Sequence, residues 1–185
     1  PKTPKPHVAQ KHLAWLKSKK AMHKKYAMLA VSQLNQWAMS FKHNKQNIFE
    51  SIRQAKRLGA AYRLGPELEV SGYGCEDHFF EQDTVKHSWD TLAEILADQE
   101  LTRDILCDIG MPLHYKNTLY NCRVFCLNQR ILLIRPKLFL AGGNNYREER
   151  WFTPWASHGL HSYPLAENIS RIVGQRETLI GNGVI

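Results

Sequence analysis

Two charged side chains follow predicted strands of this 185-residue sequence, at the kind of position where α/β proteins build their sites. Glu67 comes directly after a short predicted strand and the dipeptide Gly65-Pro66, and Lys137 ends the run Arg135-Pro136-Lys137 after another strand. A carboxylate can take up and return a proton, and an ammonium group can stabilise a developing negative charge. Taken alone, however, the pair fits a structural salt bridge between strand ends better than catalysis.

Strand and helix patterns alternate in the first half of the chain. The sequence predicts a buried strand over 26–34, a helix from Asn44 that ends at Gly59, a strand over 60–64 and a helix over 84–97. Further strands are expected over 104–111, 119–127 and 131–134, whereas the chain beyond Leu140 looks irregular. Early strands joined by helices, followed by a run of strands, indicate an α/β sheet with helices outside.

The basic character of the chain is concentrated at its start. The net charge is +8, yet ten lysines and no acidic residue precede Glu50, and the remaining residues carry 15 basic and 17 acidic side chains. We therefore predict a basic extension over 1–25, disordered or loosely helical, and one domain over 26–185. Because the charge belongs to the extension and not to the fold, no nucleic-acid partner is expected.

The cysteine pattern and the hydropathy of the chain limit its class. Four cysteines lack the C-x-x-C spacing of a metal site and are expected to be reduced thiols: Cys75, Cys107, Cys122 and Cys126. No apolar run approaches the roughly 18–20 residues needed to span a membrane, and the lysine-rich start does not resemble a signal peptide. A cytoplasmic protein without a membrane partner is therefore expected.

Several segments resemble motifs of the nitrilase, or carbon–nitrogen hydrolase, superfamily. They are GPELE and GY within 65–73, Tyr120-Asn121, Arg135-Pro136-Lys137, and YRE and WFTPW within 146–155. Longer strings, including AKRLGAAYRLGPELEVSGYGCEDHF and NYREERWFTPW, are similar to the hydrolase domain of the eukaryotic glutamine-dependent NAD synthetase family. The resemblance runs from about Ala27 to Ile185. It implies an α/β fold, an incomplete nitrilase-like α-β-β-α sandwich of two sheets with outer helices whose C-terminal strands are missing.

The same resemblance implies a reaction and roles for four residues. The family domain hydrolyses glutamine to glutamate and ammonia with a Glu–Lys–Cys triad, and a separate synthetase domain uses the ammonia to make NAD. By motif position, Glu67 resembles the general base and Lys137 the oxyanion-stabilising lysine, while Tyr73 and Glu148 resemble supporting residues of the pocket. The glutaminase step implies no cofactor, since ATP and magnesium serve the synthetase domain. The implied partners are glutamine, the synthetase domain or a full-length homologue, and other copies in an oligomer.

The nucleophilic cysteine implied by the resemblance is not among the four cysteines. Cys107, Cys122 and Cys126 alternate with apolar residues on predicted strands, and Cys75 matches a non-catalytic position of the family string. We therefore expect a chain that stops before the nucleophile and before the synthetase domain, is inactive alone, and exposes apolar sheet surface that makes it poorly soluble. Two alternatives stay open: another carbon–nitrogen hydrolase of the ω-amidase or ureidopropionase type, or a non-catalytic relic that binds a full-length synthetase.

Overall fold

The computed structural model describes residues 26–183. The predicted basic extension over 1–25 lies outside the described residues. Between residues 26 and 183 the strands are β1 (Leu29–Val31), β2 (Tyr62–Leu64), β3 (Leu106–Tyr115), β4 (Thr118–Leu127), β5 (Arg130–Pro136), β6 (Gly142–Gly143), β7 (Tyr146–Arg147), β8 (Leu160–Pro164) and β9 (Glu177–Gly181). The helices are α1 (Phe41–Arg57), α2 (Gln82–Ala97), α3 (Glu148–Trp151) and α4 (Glu167–Val173), with a 3₁₀ segment over Tyr73–Phe80.

One mixed sheet dominates the part of the chain that the structure describes. Its seven strands have the order β1-β2-β3-β4-β5-β9-β8, and β6 pairs only with β7. The first three strands are parallel, β3 to β5 form an antiparallel meander, and the hairpin of β8 and β9 joins β5 through the single register pair Ile134–Ile180. The predicted mixed α/β fold is confirmed. The sandwich was expected to have two sheets; residues 26–183 form this one large sheet and the two-stranded pair of β6 and β7.

The helices cover one face of the sheet with apolar side chains. Helix α1 buries residues at helical spacing, including Ile48 and Ile52, and its last turn carries basic residues that suit the negative end of the helix dipole. The helix ends before Gly59, which has φ 78°. Alternate residues of β3 and β4 complete this core, among them Ile109 and Val124. The other residues of these strands therefore face the opposite side, where the charged site lies.

Two local predictions are wrong. The segment 26–34 was expected to be a buried strand, but only Leu29–Val31 is extended, and the side chains of Leu29 and Val31 are 64% and 79% exposed. The reason is that β1 pairs with β2 alone and forms the edge of the sheet. The chain beyond Leu140 is not irregular throughout, because β8, α4 and β9 form there.

Among residues 26–183, none of the helices combines the length and the apolar composition that a membrane span needs.

Candidate active site

Glu67 lies in a tight loop that follows β2. The loop is attached to β3 at both ends, since the backbone N–H of Gly65 donates to the carbonyl of Asp108 (3.0 Å) and that of Val70 donates to the carbonyl of Gly110 (3.1 Å). Between these anchors Leu68 adopts a left-handed conformation with φ 50°. The Glu67 side chain is 38% exposed, so its carboxylate remains accessible from solvent.

Lys137 follows β5 by one residue and brings two carboxylates together. Its ammonium nitrogen lies 2.6 Å from Oε1 of Glu67 and 2.9 Å from Oε1 of Glu148. Its backbone is held on both sides: its N–H donates to the carbonyl of Asn121 (2.8 Å), and its carbonyl accepts from the N–H of Trp155 (3.0 Å). The two residues first singled out in the sequence, 70 positions apart, are therefore in direct contact.

Glu148, the first residue of α3, is the buried member of the cluster. Its side chain is only 2% exposed and accepts hydrogen bonds from the Tyr73 hydroxyl (2.6 Å) and the backbone N–H of Ala141 (2.8 Å), as well as from Lys137. The structure thus brings all four residues of the predicted site, Glu67, Tyr73, Lys137 and Glu148, into one hydrogen-bonded group. Their catalytic and supporting roles remain predictions.

The charges of this group stabilise one another. Burial lowers the pKa of Lys137, but the hydrogen bonds and charges of Glu148 and Glu67 more than offset it, so its pKa lies above the usual value. Burial raises the pKa of Glu148, but the bonds from Lys137, Tyr73 and the backbone more than offset that, so its pKa lies below the usual value. Burial and the neighbouring carboxylate of Glu148 raise the pKa of Tyr73. At neutral pH the site therefore holds a cationic lysine, an anionic Glu148 and a neutral phenol.

A buried ion pair that the sequence analysis did not identify supports the Glu67 loop from one side. The guanidinium of Arg63 donates to both carboxylate oxygens of Glu69 at 2.7 and 2.8 Å, and both side chains are fully buried. Burial raises the pKa of Glu69, and the guanidinium opposes the rise. A Cβ on Gly65 would lie 1.9 Å from Oε1 of Glu69, so only glycine fits at this turn. Glu69, the other carboxylate of the Gly65–Glu69 segment, is therefore bound to Arg63 and has a structural role.

Arg123 of β4 supports the loop from the other side. Its guanidinium donates to the carbonyls of Gly65 (2.9 Å) and Pro66 (2.8 Å), the two residues that precede Glu67. It also pairs with the carboxylate of Asp108 on β3 (2.5 Å), which accepts from the hydroxyl of Tyr62 (2.6 Å). Sequence reasoning missed this arrangement, although an arginine at alternate spacing from Asn121 within an apolar strand was a visible signal.

An open cavity of about 560 Å³ adjoins the site on the face away from the helices. Glu67, Asn121 and Lys137 line one part of it, and the aromatic rings of Phe125 and Phe139 line another. The volume falls in the range of small-molecule sites. Within the described ranges no group of three or more potential ligands is arranged to hold a metal ion. The arrangement can bind a small polar molecule beside a carboxylate and an ammonium group.

None of the four cysteines has the character of a nucleophile in this structure. All four are buried, and burial raises the pKa of each thiol, in the case of Cys107 to about 12. The sulfur of Cys75, the cysteine in the loop after Glu67, lies 3.2 Å from the carbonyls of Ser71 and Gly72 and donates to them. A thiol becomes reactive as a thiolate, which such surroundings disfavour.

Comparison with known proteins identifies the family. The carbon-nitrogen hydrolase family model matches residues 28–183. The chain belongs to this family. The Glu67–Lys137–Glu148 cluster therefore lies within a carbon-nitrogen hydrolase domain.

Among its relatives, the chain is similar to the glutamine-dependent NAD(+) synthetase of Dictyostelium discoideum, with 57% identity over 162 residues, which is 87% of this chain and 23% of that protein. It is also similar to the Homo sapiens glutamine-dependent NAD(+) synthetase, with 51% identity over 158 residues, 85% of this chain and 22% of that protein. The chain therefore spans less than a quarter of the length of the curated relatives it matches.

Solved structures place the chain in the same fold. A glutamine-dependent NAD(+) synthetase from Cytophaga hutchinsonii superposes with a TM-score of 0.76 at 25% identity, covering 86% of this chain and 26% of that one. An amidase from Nesterenkonia superposes with a TM-score of 0.61 at 18% identity, covering 78% of this chain and 53% of the amidase. The latter likeness concerns the fold alone.

Proposed function

We propose that this chain is the first part of a glutaminase domain, which releases ammonia from glutamine for NAD synthesis. The observation that carries the proposal is the identity of 51–57% to glutamine-dependent NAD(+) synthetases over more than four fifths of the chain. The cluster of Glu67, Lys137 and Glu148 supports it, because it places a proton acceptor and a cation at one end of a cavity of suitable volume.

The chemistry assigns one task to each charged group. The thiol of a cysteine outside the four in this sequence gives its proton to Glu67 and attacks the amide carbon of glutamine. The ammonium group of Lys137 stabilises the resulting oxyanion, an effect commonly worth about 3–4 kcal/mol per donor. Glu67 returns the proton to the nitrogen as ammonia leaves, and a thioester remains. Water, deprotonated by Glu67, then attacks the thioester, which releases glutamate and restores the thiol.

Glu148 and Tyr73 serve this chemistry indirectly. Glu148 binds the ammonium group of Lys137 and helps to keep it protonated, because the hydrogen bond and the charge of Glu148 raise the pKa of the lysine. Tyr73 neutralises part of the charge of Glu148 through its hydroxyl donor.

This glutaminase step proceeds without a cofactor, and ATP and magnesium act in the synthetase domain. The partners are that domain and further copies of the protein, in the cytoplasm.

Ammonia release by the intact product of the reading frame that encodes this chain tests the proposal. We expect turnover with glutamine as substrate and a loss of at least about 100-fold in kcat for Glu67→Gln and for Lys137→Ala. Glu149→Gln is the matched control, because this exposed carboxylate follows Glu148 in the sequence, whereas Lys137 binds Glu67 and Glu148. Turnover of small ω-amides in preference to glutamine would indicate an amidase instead. Full activity of Glu67→Gln would refute the assignment of the base.

A further inference from the structure

Asn121 contacts both halves of the charged site and has no role in the chemistry described so far. Its side chain is almost completely buried, and its Nδ2 donates to Oε1 of Glu67. Its backbone carbonyl accepts from the N–H of Lys137 at 2.8 Å, which extends the β4–β5 ladder one residue beyond the pair Cys122–Pro136. One residue therefore fixes the side chain of Glu67 and the backbone of Lys137.

The two oxygens of the Glu67 carboxylate are in different situations. Oε1 accepts from both the Asn121 amide and the Lys137 ammonium group, whereas no donor from residues 26–183 reaches Oε2. A carboxylate held by one donor can rotate and exchange its oxygens, but two donors converging on Oε1 restrict that rotation. The carboxylate is thus divided into an anchored oxygen and an oxygen that is free to receive a proton.

The backbone beneath Glu67 is held from the same strand. Arg123 lies two residues after Asn121 on β4, so both side chains emerge on the same face of the sheet. Its guanidinium fixes the carbonyls of Gly65 and Pro66, while Asn121 fixes the carboxylate itself. Strand β4 thereby positions both the backbone and the side chain of the proton acceptor.

We infer that Asn121 is a positioning residue for the glutaminase reaction: it commits Oε1 of Glu67 to Lys137 and leaves Oε2 to exchange protons with the thiol and the leaving ammonia. The inference rests on the function proposed above. Asn121 touches no reacting atom and acts through Glu67. Its loss leaves every charged group in place but lets the carboxylate turn, and a misplacement of about 1 Å can cost about 100-fold in rate.

Glutamine hydrolysis by the intact protein, measured as kcat and KM separately, tests the inference. Asn121→Ala is expected to lower kcat by about 10- to 100-fold while KM changes less than about threefold. The matched control is Gln175→Ala, since the Gln175 amide likewise bonds to strand backbone, at Ile131, at the other end of β5. It is expected to keep kcat within about twofold. An equal fall in kcat for both variants would overturn the inference in favour of general loosening of the sheet.

The nearly isosteric variant Asn121→Asp gives a readout that a packing role would not produce. A protonated aspartate donates to Oε1 as the amide does, whereas an ionised one repels the Glu67 carboxylate. The activity of this variant relative to wild type should therefore rise as the pH is lowered from 8 to about 5. A ratio that is constant with pH, or an Asn121→Ala enzyme with wild-type kcat, would overturn the inference alone. A wild-type protein without glutaminase activity would instead overturn the proposed function.

Discussion

Removing the buried guanidinium of Arg63 should destabilise the domain more than removing any surface charge. Arg63 donates to both oxygens of Glu69 and to the hydroxyls of Ser32 and Ser51, and both charged side chains are fully buried. Arg63→Ala leaves the Glu69 carboxylate buried without its partner, which typically costs about 3–5 kcal/mol. This is a large part of the roughly 5–15 kcal/mol that holds a domain folded.

The assay is unfolding of the 185-residue chain in urea, followed by far-ultraviolet circular dichroism at pH 7. The protein concentration is kept low, because the exposed edge of the sheet is expected to cause self-association. Thermal melting should show a lowering of Tm by about 6–20 °C for Arg63→Ala, at about 2–4 °C per kcal/mol for a chain of this size. Arg63→Lys, which keeps the charge but loses the two-pronged contact, should lower Tm by less than Arg63→Ala does. It replaces Arg63→Ala in the test if the alanine variant does not fold.

Two further variants test whether the unpaired buried charge causes this loss of stability. Lys86→Ala breaks an exposed ion pair with Asp90 (3.0 Å) and should change the free energy of unfolding by less than about 0.5 kcal/mol. The double variant Arg63→Met/Glu69→Met removes both buried charges and should be more stable than Arg63→Ala. If Arg63→Ala changed the free energy of unfolding as little as Lys86→Ala, the buried pair would not be what stabilises the Glu67 loop.

Four more predictions concern the turn, the site, the thiols and the sheet edge. Gly65→Ala, whose Cβ would overlap the buried ion pair, should cost at least about 3 kcal/mol in urea unfolding, while Gly74→Ala, with open space around it, should cost less than about 1 kcal/mol. Folding lowers the pKa of Glu148, so the stabilisation that its carboxylate gives the fold is fully present above the unfolded pKa of about 4.3 and is lost as the pH falls through the folded pKa. The difference in the free energy of unfolding between wild type and Glu148→Gln should therefore shrink below about pH 4. A colorimetric thiol reagent should react slowly with the four buried cysteines of the native chain and rapidly in urea, and fast reaction without denaturant would contradict their burial. Val31→Lys at the exposed edge should reduce self-association in sedimentation velocity, and unchanged association would show that this edge is not the contact.

The elements that carry the site were predictable because their signals are local. The pattern of α1, the end of the helix at Gly59 and the polar turns between β3, β4 and β5 are all written in short stretches of sequence. So are the two strand ends that place Glu67 and Lys137. Their contact was not local, but the rule that strand ends gather at one edge of a sheet indicated it.

What the sequence did not reveal depends on contacts between distant segments. Strands β8 and β9 contain polar residues, and they form because they pair with each other and with β5. Arg63 looks like a surface residue until Glu69 is folded against it, since a buried arginine is tolerated only with its charge and donors satisfied. The exposure of β1 likewise follows from its place in the strand order, which its apolar composition does not encode.

The tight approach of β3 to the Glu67 loop limits which residue a related gene can encode at position 110. A Cβ on Gly110 would come within 2.6 Å of the amide nitrogen of Leu68 and the carbonyl oxygen of Pro66, so no other residue can occupy the position without shifting the loop. A copy released from selection accumulates substitutions at such crowded positions as readily as at the reactive ones. Retention of Gly65 and Gly110 beside the charged residues therefore distinguishes genes whose loop geometry is still under selection from decaying copies that keep the charged residues by chance.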